Sequence, residues 1–176
     1  MPEGSHGRWE PELDADERTM LTGFLDYHRA TLRWKVSGLT QAELARTIAA
    51  STLTLAGLLK HLALVEDNWF TEVFAGTDLG EPWASVDWDA DRDWDLHSAV
   101  HDSPKDLLAL YDAACTRSHA VVATAESLDQ RAARVHRRTG QVFTLRWILL
   151  HMIEETARHN GHADLLREAI DGETGE

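Results

Sequence analysis

Near the C-terminal end, the stretch HMIEETARHNGHADLLRE (151–168) places Glu155 and His159 four residues apart. On a helix, residues at i and i+4 face the same way, so one carboxylate and one imidazole can meet a single ion. The two histidines of an HExxH zinc helix use the same geometry. At three-to-four spacing the seam reads Leu145, Ile148, Met152, Glu155, His159, His162, Leu166, Ala169. It is apolar at both ends, with a carboxylate and two imidazoles in the middle. Polar groups on a core-facing seam are costly unless something satisfies them. A divalent metal would satisfy all of them at once. A third ligand must come from elsewhere, and His61, between Leu58 and Val65 on a second seam, is the candidate. One carboxylate and two imidazoles suit zinc, nickel, iron or manganese, and three protein ligands leave a position open for water or substrate. The bland alternative is a set of hydrogen-bonded core residues. Three seams that each carry a histidine (His28, His61 and His159) beside a seam glutamate raise the metal reading to an even match with it.

His162 is a fourth ligand or a substrate-facing proton carrier, and the second role is preferred. His28 is the same kind of candidate on the first helix. Arg158 either pairs with Glu154 on a solvated helix face or holds an anionic substrate. His151, one turn before Glu155, caps the site or simply packs. His6, His97, His101, His119 and His136 read as surface residues.

Four long helical patterns must position these groups, and no strand alternation of useful length is present. The first runs from about Asp16 to Gly38, with the seam Leu21, Leu25, His28, Leu32. The second starts at Thr54 as N-cap and runs to about Ala75, before Gly76. The third opens on Ser103 and Pro104 with Asp106 in its first turn, a strong start signal. Its seam is Leu107, Leu110, Ala114, Val121, Ala125, Leu128. The fourth spans about Thr144 to Asp171 and stops at Gly172. The pattern predicts an all-α fold, a four-helix bundle with one long crossover connection. That crossover, 77–102, carries Trp83, Trp88 and Trp94 among alternating aspartates. A calcium loop requires glycine at its sixth position and glutamate at its twelfth. Counted from Asp87 or Asp89, neither is there. The segment reads as a loop pinned by tryptophans, or else as a lid over a pocket. Residues 129–143 form a second connection with room for a short hairpin. Residues 1–12 are expected to be disordered or loosely docked, and 13–172 to form the domain.

The chain has 176 residues, enough for one domain with a real core, and 43% hydrophobic and 27% charged residues are ordinary for a globular protein. A net charge of −13 argues against nucleic acid or an anionic membrane as partner. The single cysteine, Cys115, excludes an internal disulfide and reads as a small buried hydrophobe. No apolar run approaches the roughly 20 residues of a membrane span. The polar, acidic N-terminus is no signal peptide, so a cytosolic protein is expected.

The residues LLKHLALVEDNWF (58–70), LRWILLHMIEETARHNGHADLLREAIDG (145–172) and LDYHRATLRWKVSGLT (25–40) resemble the DinB/YfiT-like metalloprotein superfamily. The resemblance covers roughly 13–172 and points to its actinobacterial mycothiol-transferase-like branch. It implies a four-helix bundle with a divalent metal near one end. The implied ligands are His61, Glu155 and His159, and a homodimer is a common assembly. Many relatives have histidine where Glu155 stands. The branch resembling mycothiol-dependent maleylpyruvate isomerase has glutamate. That isomerase carries a second domain that contributes to catalysis, and these 176 residues include none. What carries over is the metal site and the use of a small thiol.

Three functions compete. The first is a metal-dependent S-transferase in which a thiol such as mycothiol attacks an electrophile. It uses His162 or His28 to move a proton, and Arg158 or tryptophan residues to shape the pocket. The second is a non-catalytic metal-binding or stress-response protein. The third is a metal-dependent hydrolase, weakened because Glu155 is a poor general base if it is a ligand.

Overall fold

The computed structural model describes residues 8–48 and 51–175. His6 and the first seven residues of the expected loose N-terminus lie outside the described residues. The fold is mostly helical. The first helix, α1 (Glu17–Val36), is capped by Asp16, whose side chain accepts from the Thr19 amide. A single turn, α2 (Gln41–Leu44), carries a capping box between Thr40 and Glu43. Helix α3 (Leu55–Glu66) starts at Thr54, as its hydroxyl and apolar pattern predict, and continues as a π-helical stretch, Asp67–Phe74. The crossover holds a 3₁₀ turn (Trp83–Ser85), the short α4 (Trp94–Ser98) and a second 3₁₀ turn (Ala99–His101). Helix α5 (Pro104–Thr124) begins on the Ser103 cap with proline in its first turn. Strands β1 (Arg131–Val135) and β2 (Val142–Thr144) form an antiparallel hairpin, and β2 runs straight into α6 (Leu145–Asp171). Gly172, at φ +81°, ends α6 in the left-handed conformation that glycine adopts without strain.

Helix α1 lies along α6, α3 along α5, and α3 also touches α6 and α1. The core has two parts. One joins Leu32 and Val36 of α1 to Leu55, Leu58, Leu59 and Leu62 of α3, with Trp83 from the crossover and Leu107, Tyr111 and Ala114 of α5. The other joins Leu25, Phe70 and Phe74 to Val122, Leu128 and the first two turns of α6. No helix among the described residues is long and apolar enough to cross a membrane.

Two seams differ from the sequence reading. On α6 the buried line is Met152, Thr156, Asn160, Ala163, Leu166, while Glu155, His159 and His162 stand half-buried beside it and Ala169 is exposed. Thr156 fits the core because its hydroxyl donates to the Met152 carbonyl at 2.7 Å. Asn160 fits because its amide donates to the His28 carbonyl at 3.0 Å. On α1 the buried polar residues are Arg29, Thr31 and Lys35, and His28 is not among them. The Arg29 guanidinium donates two hydrogen bonds to the fully buried Glu66 carboxylate, at 2.6 and 2.5 Å.

The π-helical stretch was not legible as an α-helical seam. Its wider turn brings Glu66, Phe70 and Phe74 inward at four-residue spacing. Insertions of this kind are frequent at functional sites.

Candidate metal centre

His61 leaves the middle of α3, and Glu155 and His159 leave α6 where it passes α3. The three residues offer ligand atoms that all lie within 4.8 Å of one another. Both Nε2 atoms face one oxygen: His159 Nε2 is 3.2 Å and His61 Nε2 3.7 Å from Glu155 Oε1. Ligands about 2.0–2.1 Å from a tetrahedral zinc stand about 3.3 Å from one another. The spacing and the donor set, two imidazole nitrogens and one carboxylate oxygen, therefore fit a divalent ion. The side chains keep 14–25% of their surface exposed, so an ion and a further ligand have a way in.

A fourth residue fixes His61. Its Nδ1 is 2.7 Å from Asp95 Oδ2, and Asp95 is 3% exposed at the start of α4. With Nδ1–H donating to this carboxylate, Nε2 is left as the lone-pair nitrogen aimed at Glu155. A carboxylate behind a ligating histidine sets its tautomer and orientation and raises its basicity. The residue next to His61 ties down the same segment. Lys60 donates to Asp102 at 2.7 Å and to Ser98 at 2.9 Å, and its ammonium lies 4.2 Å from the Trp94 ring centre. Trp83 donates to Asp67 at 2.8 Å and meets Trp94 edge-on. The crossover is thus pinned by tryptophans, and it also delivers Asp95. Sequence reasoning missed that role, because Asp95 is one of five alternating aspartates and its partner lies 34 residues away.

The charge balance is consistent with this geometry. Burial raises the Glu155 carboxyl, but His159 and Arg158 outweigh it and hold the group below its ordinary range. Burial lowers His61, yet the bond and charge of Asp95, with Glu155, leave it raised. His159 is lowered, by burial first and then by His61.

The remaining candidates separate. His162 stands at the edge of the cluster, its Nδ1 3.4 Å from His159 Nδ1. Arg158 hydrogen-bonds Glu154, the i,i+4 pair its spacing predicts, and also lies 3.6 Å from Glu155 Oε2. His28 is not brought to the cluster. It lines a hollow of about 210 Å³ between α1 and α6 with Arg8, Trp34 and Asn160, and burial lowers its pKa. His151 stacks on Trp147, with ring centres 5.1 Å apart. Cys115 is buried and its thiol is pushed up to about 12, chiefly by burial, which leaves it unreactive.

A family model described as mycothiol-S-transferase, a DinB/YfiT-like family, matches residues 20–172. The chain belongs to that family. The crystal structure of a conserved protein from Enterococcus faecalis superposes with a TM-score of 0.70 over 91% of this chain and 100% of that one. At 15% identity it shares the fold alone. No curated protein matches the chain.

Proposed function

We propose that this member of the mycothiol-S-transferase family is a divalent-metal-dependent transferase. It joins the sulfur of a low-molecular-weight thiol, of the mycothiol kind, to an electrophilic carbon. The observation that carries the reading is the convergence of His61, Glu155 and His159, with Asp95 behind His61. These three residues would hold the ion, zinc first, with nickel, iron or manganese suited to the same donors. The four long helices, α1, α3, α5 and α6, are read as a bundle that carries the site on two facing members.

A bound divalent ion supplies Lewis acidity that keeps a thiol sulfur deprotonated near neutral pH. The chain's own residues do the rest. Asp95 accepts from the His61 Nδ1–H and so turns Nε2 toward the cluster. Glu155 contributes negative charge, and His159 first, then Arg158 beside its second oxygen, favour its ionised form. His162, half-buried and next to His159, accepts the thiol proton and passes it to solvent. The sulfur then forms a bond to the electrophilic carbon, and the leaving group departs with its bonding pair. His28, on the far hollow, has no part in this scheme.

The test is thiol-dependent turnover. Zinc-loaded protein is assayed with mycothiol and a panel of haloaromatic and epoxide electrophiles, beside His61→Ala and His162→Ala. The reading expects conjugation that requires both thiol and metal. It expects loss in His61→Ala, and in His162→Ala a fall in kcat of about 10²-fold or more, the usual range for a general base. Full activity in His61→Ala, or turnover without thiol, contradicts it.

A further inference from the structure

The sequence RAARVHRR (131–138) holds four arginines and a histidine in eight residues, with no acid among them, in a chain of net charge −13. These residues form β1 and the turn after it. The hairpin feeds directly into α6, so the basic segment is covalently fixed to the helix that carries Glu155 and His159. Facing β1 across a cleft of about 860 Å³ is the π-helical stretch with Asn68, Trp69 and Glu72. The cleft continues around Phe143 into a second hollow that reaches Trp147.

The walls are aromatic. Trp69 meets Phe143 and His151 edge-on, with ring centres 5.1 and 4.8 Å apart, and Trp147 stacks on His151. The α6 residues follow one line, Trp147, His151, Glu155, His159, each a turn from the next. Four residues of helix rise about 6 Å. His151 therefore stands about one turn from Glu155 and Trp147 about two.

The charges are unequal in role. Arg134 is anchored, at 3.0 Å from Glu72 and 2.5 Å from Asp78. Arg137 is 92% exposed on its side chain and reaches Glu72 only at 3.8 Å. Arg138 lines both hollows and makes no ion pair among the described residues. Arg134 spends its charge on the chain's own acids, whereas Arg137 and Arg138 leave positive charge at the cleft for a negative group to meet. Clefts of a few hundred to about 1,000 Å³ with aromatic walls and a few charged groups are the usual form of small-molecule sites.

We infer that this cleft binds the second substrate of the transfer, and that this substrate is a flat aromatic or conjugated electrophile bearing an anionic group. Its ring packs on the outer faces of Trp69, Phe143 and Trp147, which themselves touch with ring centres 4.8–5.3 Å apart. Its carboxylate, or comparable anion, meets Arg137 and Arg138, and its reactive carbon points along α6 toward the thiol sulfur. The inference rests on the transfer reading for the reaction, but the cleft's ligand preference is measurable without it.

Two probes suffice: a chlorodinitrobenzoate, and the chlorodinitrobenzene that lacks its carboxylate. In the reaction the thiolate sulfur bonds to the carbon bearing chlorine. The carbon–chlorine bond breaks, chloride leaves with the bonding pair, and the thiol proton passes to buffer. Binding of each probe to the zinc-loaded full chain is first measured by calorimetry without thiol, and kcat/KM is then measured with mycothiol. The proposal expects the carboxylate probe to bind about tenfold tighter than the neutral one. It expects that preference, in binding and in the kcat/KM ratio, to fall about tenfold in Arg137→Gln/Arg138→Gln. Trp147→Leu, at a partly exposed position, weakens both probes. Equal binding of the two probes, or a preference that survives the double arginine variant, overturns it. If the preference is present and arginine-dependent but no conjugate forms with any thiol, the cleft stands and the transfer reading fails. If conjugation occurs without any preference, the transfer reading stands and the cleft proposal fails.

Discussion

Helix α3 puts acid–base chemistry in two places five residues apart, and the two are built on opposite plans. At Glu66 the partners are complementary and closed. Arg29 meets the carboxylate through two hydrogen bonds, with both side chains at 3% exposure or less. At His61 the partners converge on one point and stay partly open. His61, His159 and Glu155 turn acceptor atoms toward one small space, and His162 sets a ring nitrogen against His159. That cluster is also partly open to solvent. A buried fixed-charge pair satisfies itself and holds helices in register. Two imidazole nitrogens and a carboxylate oxygen that converge on one point are also the donor set of a divalent cation. Burial of polar residues on a helix seam therefore does not by itself mark a site. Convergence of several such donors on one partly open point does.

The sharpest break in this comparison is a pair of truncations. Glu66→Ala leaves the buried Arg29 guanidinium with only the half-exposed Asp26 as its ion-pair partner, so a loss of up to about 3–5 kcal/mol in unfolding free energy is expected by urea or thermal melts. Glu155→Ala removes a partly exposed group whose partners, His159 and Arg158, also reach solvent or other neighbours. The metal-free protein should change by about 1 kcal/mol or less, while metal affinity collapses. Equal stability losses in the two variants would erase the distinction.

Next in size is Asp95. Asp95→Asn keeps the shape but removes the charge behind His61, and an effect of about 10- to 100-fold on zinc affinity is expected by competition with a chelating dye. The pH dependence carries an independent sign. The folded-state pKa of His61 is raised, so in metal-free protein its proton stabilises the fold below the ordinary histidine value of about 6.5, and that contribution is lost as pH rises through the raised value. A metal must displace the same proton, so affinity climbs with pH through that window. Asp95→Asn should move the climb to lower pH even as it weakens the plateau. A plateau and midpoint both unchanged would show that Asp95 does not act through His61.

The smallest effect belongs to Cys115. Its thiol is buried and raised, so Cys115→Ala should leave thiol-dependent turnover within about twofold, at a stability cost of about 1 kcal/mol for a small buried side chain. Loss of turnover with an unchanged melting temperature would give the protein's own sulfur a role.

Much of the frame was legible because its signals are local. Thr54, Ser103 with Pro104, and Gly172 mark helix ends through hydrogen bonds and backbone angles that span only a few residues. The i,i+4 relation of Glu155 and His159 is equally local, and their meeting with His61 followed from reading two seams as facing. What stayed hidden depends on contacts far apart in sequence. Asp95 looked like one more loop aspartate. Arg29 and Glu66 sit one residue off the seams that were read, so their pairing had no periodic signature. The α6 seam was drawn through Glu155 and His159, whereas the core line passes through Thr156 and Asn160. Thr156 spends its hydroxyl on a carbonyl one turn back, and Asn160 spends its amide N–H on the His28 carbonyl of α1.

The central claim is that converging acceptors on α3 and α6 hold one divalent ion. Elemental analysis of protein purified without chelator or nickel resin, alongside His61→Ala and His159→Ala, tests it most directly. The account predicts about one metal per chain in the parent and loss of it in both variants, with each variant still folded by circular dichroism. A parent that carries no metal and takes up none of zinc, nickel, iron or manganese on titration would contradict it. The cluster would then be a polar contact between two helices.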